Sequence, residues 1–149
     1  VIGGDVLSPY LNTLPLSNDR FVAVALADYD IPKTLTFEEL VKYPLLLRER
    51  GSSSRDFIEK IAIGKGIQIR TKMDSSNNQA LIAAVYSSLG VSFLPEYAVR
   101  REVQQGHLSI IQAAAPPQEI TVVITTHKDR WMSPQLAGFL QLLQQERWL

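Results

Sequence analysis

The sequence predicts an α/β fold built on a parallel sheet, and three observations carry that prediction. Residues 43–95 read strand, helix, strand, helix, strand. Two turns in that stretch, residues 48–56 and 74–79, are rich in small hydroxyl and amide side chains and lead into apolar residues at helical spacing. Each turn carries a helix-start signature, Ser53 with Asp56 and Ser76 with Gln79. A helix start leaves backbone N–H groups unpaired and carries partial positive charge. Two starts facing one crevice, at the carboxyl ends of parallel strands, therefore suit a small anion. The alternative is that each polar turn only caps its helix, which is the common case for a single turn.

The elements follow in order. Val1-Ile2-Gly3-Gly4 reads as a strand end passing into a glycine turn, where backbone can approach a ligand closely or simply reverse direction. Residues 8–18 are turn-rich, and Arg20-Phe21-Val22-Ala23-Val24-Ala25-Leu26 is an apolar run of strand length. Thr36 with Glu39 forms a third capping box, with Leu35 placed to staple onto Leu40, so a short helix is expected to end before Pro44. Leu45-Leu46-Leu47 is a strand, and Phe57, Ile58, Ile61 and Ala62 mark one face of the helix after it. Ile67 and Ile69 alternate with Gln68 and Arg70, which predicts a strand with one wet face. Ala80, Leu81, Ala84 and Val85 mark the next helix, and residues 89–94 a strand closed by Pro95. A helix over 96–105 ends at Gly106 in the left-handed conformation, and a strand follows over 107–111. Ala113-Ala114-Ala115-Pro116-Pro117 reads as a surface loop, because neither proline can donate to a ladder. Residues 120–126 are rich in β-branched residues and form the last strand. Ser133 and Pro134 open a final helix whose stripe is Leu136, Phe139, Leu140 and Leu143.

Composition bounds the function. At 149 residues and 46% apolar the chain can bury a core of its own. Its 15 basic and 15 acidic residues cancel, whereas a nucleic-acid-binding domain concentrates positive charge, so these residues are not expected to hold DNA themselves. The absence of cysteine excludes disulfides, thiolate metal sites and cysteine redox sensing, and fits a cytoplasmic protein. No run approaches the roughly 20 apolar residues needed to span a bilayer, so no membrane association is expected. Val1 in place of an initiator methionine points to a fragment or a processed chain.

Catalytic chemistry finds no support. His107 and His127 lack metal-ligand spacing, no serine sits in a Gly-x-Ser-x-Gly elbow, and Gly64-Lys65-Gly66 lacks the rest of a phosphate loop. The Glu38-Glu39 pair belongs to a cap, and Trp131 and Trp148 read as packing residues. No catalytic residue, cofactor or metal is expected.

Taken collinearly, Pro44-Leu45-Leu46-Leu47-Arg48-Glu49-Arg50-Gly51-Ser52-Ser53-Ser54-Arg55, Ser76-Asn77 through Val85, Leu89-Gly90-Val91-Ser92-Phe93-Leu94-Pro95 and Gly106-His107-Leu108 resemble the effector-binding domain of LysR-type transcriptional regulators. The likeness runs from Val1 to the closing Phe139-Leu140. It implies a periplasmic-binding-protein-like (type 2) α/β fold of two Rossmann-like subdomains joined by two crossover strands. Residues 1–18 and 127–149 would be parts of the first subdomain, incomplete in this chain, and 19–126 the second with its crossover strands. A winged helix-turn-helix that reads DNA would lie upstream of Val1, and apolar surface is expected where the rest of the first subdomain would pack.

The resemblance also implies a small-molecule effector, bound in the cleft between subdomains and shifting the arrangement of a homodimer or homotetramer. Ser76 and Asn77 are the first candidates for effector contact, because the matching turn in relatives supplies hydroxyl or amide hydrogen bonds. Ser52 and Ser53 come next. The peroxide-sensing branch places its reactive cysteine in this turn, so serine there rules out a thiol switch. Gly3 and Gly4 match the cleft floor, where some relatives carry a hydroxyl. Arg48, Arg50 or Arg55 can pair with an acidic effector, the alternative being solvated surface charge. The competing reading is an extracytoplasmic solute-binding protein of a transporter, recognisable by an upstream signal peptide. A small enzyme on the same fold would need catalytic side chains outside this chain.

Overall fold

The computed structural model describes residues 2–3, 8–113 and 119–145. The chain divides into two compact units, Arg20–Gln118 and a second made of Val1–Asp19 with Glu119–Leu149. Its strands are β1 (Ile2–Gly3), β2 (Leu11–Leu26), β3 (Thr34–Leu35), β4 (Leu45–Arg48), β5 (Thr71–Ser75), β6 (Val91–Pro95), β7 (Leu108–Ala113) and β8 (Glu119–His127). Its helices are α1 (Phe37–Leu40), α2 (Ser53–Gly64), α3 (Asn78–Tyr86), α4 (Glu96–Gln104) and α5 (Pro134–Gln145).

The larger unit is a three-layer α/β sandwich. Its sheet runs β3-β7-β2-β6-β4-β5, with β6, β4 and β5 parallel to one another and β2 antiparallel to both β6 and β7. Strand alternation sorts the apolar side chains onto two faces. Ala23, Ala25, Leu45, Leu47, Val91 and Phe93 pack with Phe37 and Leu40 of α1 and Ile58 and Ala62 of α2. Val22, Val24, Leu46 and Leu94 pack with Leu81 and Val85 of α3 and Val99 of α4. Both faces are covered, which is why Leu45-Leu46-Leu47 reads as an unbroken apolar run. Ser92, fully buried on β6, donates its hydroxyl to the Leu46 carbonyl at 2.7 Å.

Helix ends follow the local rules closely. Thr36 caps α1 with both halves of the capping box present. At the end of α2, Gly66 (φ +66°) lets Ile67 N–H reach Ala62 O while Gly66 N–H reaches Ile63 O. Gly106 (φ +73°) closes α4 in the same way, with His107 N–H on Glu102 O. At the end of α3 a serine takes this role: Ser88 sits at φ 55°, with Leu89 N–H on Ala84 O.

The smaller unit pairs β1 antiparallel to β8, with Ile2 opposite Val123 and Gly3 opposite Val122. β8 also lies beside the first half of β2. Ser133 caps α5, its Oγ accepting from Leu136 N–H at 3.2 Å, with Pro134 as the first helical residue. The stripe expected on α5 is only partly covered, Phe139 being 56% exposed beside Leu142 at 57%.

Three expectations are corrected. Residues 11–18, read as turn-rich, belong to β2, because β8 supplies the pairing that their local propensity does not favour. Residues 67–70 are not a strand. Ile67 is committed to the closure of α2, and both Ile67 and Ile69 pack on the core from a loop, so the ladder with β4 starts only at Thr71. Trp131, expected to pack, is 78% exposed. The loop expected around Ala114 to Pro117 and the residue Trp148 lie outside the described residues.

Candidate functional site

Parallel pairing puts the two polar turns side by side. Arg48 at the end of β4 is in register with Ser75 at the end of β5, and Glu49 N–H donates to Ser75 O at 3.2 Å. The chain leaves β4 through Gly51, whose φ of +89° favours glycine, and enters α2. The α2 cap is Ser52, not Ser53: its Oγ accepts from Arg55 N–H at 3.3 Å, and Ser53 is the first helical residue. The α3 cap is likewise one residue from the expected place. Asn77 Oδ1 accepts from Gln79 N–H at 2.8 Å, while Asn77 N–H donates to Ser75 Oγ at 3.1 Å, so Ser76 sits in the bend between them. In both turns the cap is the residue whose oxygen reaches the first-turn amides, and at α3 the longer asparagine arm wins over serine. The N–H groups at each first turn beyond the capped one have no intrahelical acceptor, and they lie at the carboxyl edge of the sheet.

Arginines lock the two turns to each other. Arg48 grips Glu49 bidentately at 2.9 and 3.0 Å and donates to Asn78 Oδ1 at 2.7 Å, tying the first turn to the start of α3. The Arg48 hydrogen bond holds the Glu49 carboxyl below the usual carboxylate range. Arg55 is 5% exposed and reaches Glu59 at 2.6 Å and Asp74 at 2.7 Å, tying α2 to β5. Sequence reading did not find this clamp, although Arg55 and Glu59 stand at the i, i+4 spacing that marks a helical ion pair.

Five of the expected site residues are thus brought to one edge: Arg48, Ser52, Ser53, Ser76 and Asn77. Arg48 is already engaged with protein groups, and Ser52 spends its oxygen on the cap. Ser53, Ser76 and Asn77 are exposed, and neither the Ser76 hydroxyl nor the Asn77 amide nitrogen has a hydrogen-bond partner among the described residues. Arg50 is exposed on the turn between β4 and α2. Gly3 belongs to the other unit, on β1, and Gly4 lies outside the described residues. His107 Nδ1 stands 3.2 Å from Tyr86 OH. Among the described residues no three His, Cys, Asp or Glu side chains come together as a metal site, and no helix is long and apolar enough to cross a membrane.

Two polar helix starts thus stand side by side at the carboxyl edge of a parallel sheet, with hydroxyl and amide donors that have no acceptor among the described residues. The LysR substrate binding domain profile matches residues 1–148, and the chain belongs to that family. It is 31% identical over 111 residues to the HTH-type transcriptional activator CmpR of Synechocystis sp., covering 74% of this chain and 36% of CmpR. It is 25% identical over 128 residues to the HTH-type transcriptional regulator CbbR of Rhodospirillum rubrum, covering 86% of this chain and 43% of CbbR. The chain therefore spans less than half the length of these relatives. Among solved structures, the CcmR regulatory domain of Synechocystis PCC6803 in complex with 2-PG superposes with a TM-score of 0.82 at 19% identity, over 95% of this chain and 70% of that one. The effector-binding domain of QuiR in complex with shikimate gives 0.79 at 16%, over 95% and 68%. The fold is the mixed α/β, periplasmic-binding-protein-like type 2 fold of LysR regulatory domains.

Proposed function

We propose that this chain is the effector-sensing part of a LysR-type transcriptional regulator, and that it binds a small, anionic metabolite through the edge formed by the starts of α2 and α3. The observation that carries this reading is the adjacency of the Ser52–Ser53 and Ser76–Asn77 turns, fixed by the Arg48 to Ser75 register. Ser76 and Asn77 are the leading effector contacts, because their free donors face no protein acceptor among the described residues. Ser53 and the first-turn amides follow, and Ser52 acts through the cap it makes. Arg50 is the better arginine candidate than Arg48 or Arg55, whose guanidinium groups already hold carboxylates.

The remainder of the reading follows the family. By the family's pattern, residues 1–18 and 127–149 would be parts of one subdomain and 19–126 the other with its crossover strands, and Gly3 would be a further effector contact. Effector binding favours one arrangement of a homo-oligomer and so changes the spacing of DNA-reading domains carried by an upstream segment of a cytoplasmic protein. The CcmR and QuiR domains were solved in complex with 2-PG and with shikimate, which supports a small-molecule effector for this chain. Small effectors sensed near cellular levels bind at roughly micromolar to millimolar. A few hydrogen bonds of about 1–3 kcal/mol each suffice.

The test is the coding sequence upstream of Val1. A helix-turn-helix followed by a linker helix supports the regulator reading. A basic start, an apolar segment and a cleavage site would instead make the chain part of an extracytoplasmic solute-binding protein.

A further inference from the structure

At the opposite edge of the same sheet, where the parallel strands begin, the structure holds a second recess. A cavity of about 540 Å³ opens between the approach to β4 and the start of β5, lined by Val41, Lys42, Tyr43, Pro44, Gln68, Arg70, Thr71 and Lys72. β4 is four residues long, so the recess and the Arg48 edge are the two ends of one short strand.

The lining is unusual for a protein of zero net charge. Lys42, Arg70 and Lys72 are three cations, and no carboxylate lines the cavity. Lys42 acts electrostatically on Glu39, whose Oε2 already accepts from the Thr36 backbone N–H and hydroxyl in the α1 cap. Lys72 donates to Leu89 O at 3.1 Å. Arg70 is exposed and pairs with no carboxylate among the described residues, in contrast to Arg48 and Arg55 on the other edge. Three like charges around one recess repel one another, and a ligand carrying two or more negative charges relieves that repulsion while offering acceptors to the guanidinium fork. Gln68 and Tyr43 add an amide and a phenol at the rim.

We propose that this recess is a second anion site, distinct from the edge made by α2 and α3, that takes a small polyanion such as a phosphate ester or a di- or tricarboxylate. Arg70 supplies the bidentate contact, and Lys42 and Lys72 the flanking charges. The site stands on its own lining and does not depend on the effector assignment above.

The test is an amide-shift titration of the ¹⁵N-labelled chain with inorganic pyrophosphate and with citrate, against sodium chloride of matched ionic strength. Saturable shifts at residues 42, 70 and 72 with either polyanion and not with chloride are expected. Pyrophosphate alone identifies a phosphate site and citrate alone a carboxylate site. Arg70→Gln is expected to weaken binding about tenfold or more, as loss of a charge-assisted pair does, whereas Arg50→Gln on the other edge leaves it unchanged. Shifts that track ionic strength alone, shifts confined to residues 52–53 and 76–77, or full affinity in Arg70→Gln would each overturn the proposal.

Discussion

Gly90 has less room for a side chain than any other described glycine outside the strands. A Cβ built on it would lie 2.1 Å from the Pro44 carbonyl oxygen and 2.9 Å from both Pro44 C and Pro44 Cβ. Carbon and carbonyl oxygen ordinarily touch at about 3.3 Å, so the shortfall is about 1.2 Å against backbone that cannot rotate away. The Gly90 φ of +155° adds strain for any L side chain. Relief requires the starts of β4 and β6 to part, which breaks the 2.9 Å bond from Val91 N–H to Pro44 O and opens the contact of Leu45 with Val91, both fully buried. Overpacking contributes about 1–3 kcal/mol, backbone strain about 1–3 and the lost bond about 1. Gly90→Ala should therefore destabilise by about 3–7 kcal/mol, a fall in thermal midpoint of at least about 6 °C for a chain of this length. Urea unfolding followed by circular dichroism measures it. Gly138→Ala, on α5 with open space around the new methyl, is the control and should be neutral or stabilising by up to about 1 kcal/mol. A Gly90→Ala loss under about 1 kcal/mol would refute the close approach.

Three further outcomes follow from the same geometry. Arg55→Met keeps the buried stem but removes the fork on Glu59 and Asp74. Both partners remain solvent-accessible, which limits the loss to about 1–2 kcal/mol by thermal melt, and an unchanged melting temperature would show the clamp is idle. Ser88→Gly relieves the φ of 55° at the end of α3 and should stabilise by about 0.5–1 kcal/mol in the same assay. Glu39, held low first by the Thr36 backbone N–H, and Glu96, held low first by Arg20, both have folded pKa values below their unfolded ones. Their contribution is complete above the unfolded carboxylate pKa, near pH 4.3, and is lost as pH falls through the folded values. The melting temperature should drop from about pH 5 downward, and Glu39→Gln combined with Glu96→Gln should flatten that drop.

Much of this architecture was legible because local and tertiary signals agree in residues 43–95. Leu45-Leu46-Leu47 is apolar on both sides because helices cover both faces, and the glycine at 106 stands where a helix must end in the left-handed region. Where a partner decides, the sequence misleads. Residues 11–18 look like turns and are held as strand by β8. Ile67 and Ile69 alternate like a strand, yet they fill the core from a loop because Gly66 turns the chain back onto α2. The two caps were displaced by one residue for a related reason: a serine three residues before an acid or a glutamine marks a helix start but does not say which neighbouring oxygen reaches the amide. Adjacency of the two turns was foreseeable from parallel topology. The arginine clamp across them depends on the Arg48 to Ser75 register, which spacing along one chain does not encode.

The most direct test of the effector reading is operator binding by the full-length regulator, with and without its effector, in wild type and in Ser76→Ala combined with Asn77→Ala. Equal operator affinity without effector, together with an effector response weakened about tenfold or more, is the predicted result. A double variant that responds to effector at wild-type concentrations would contradict it and remove the α2–α3 edge as the sensing site.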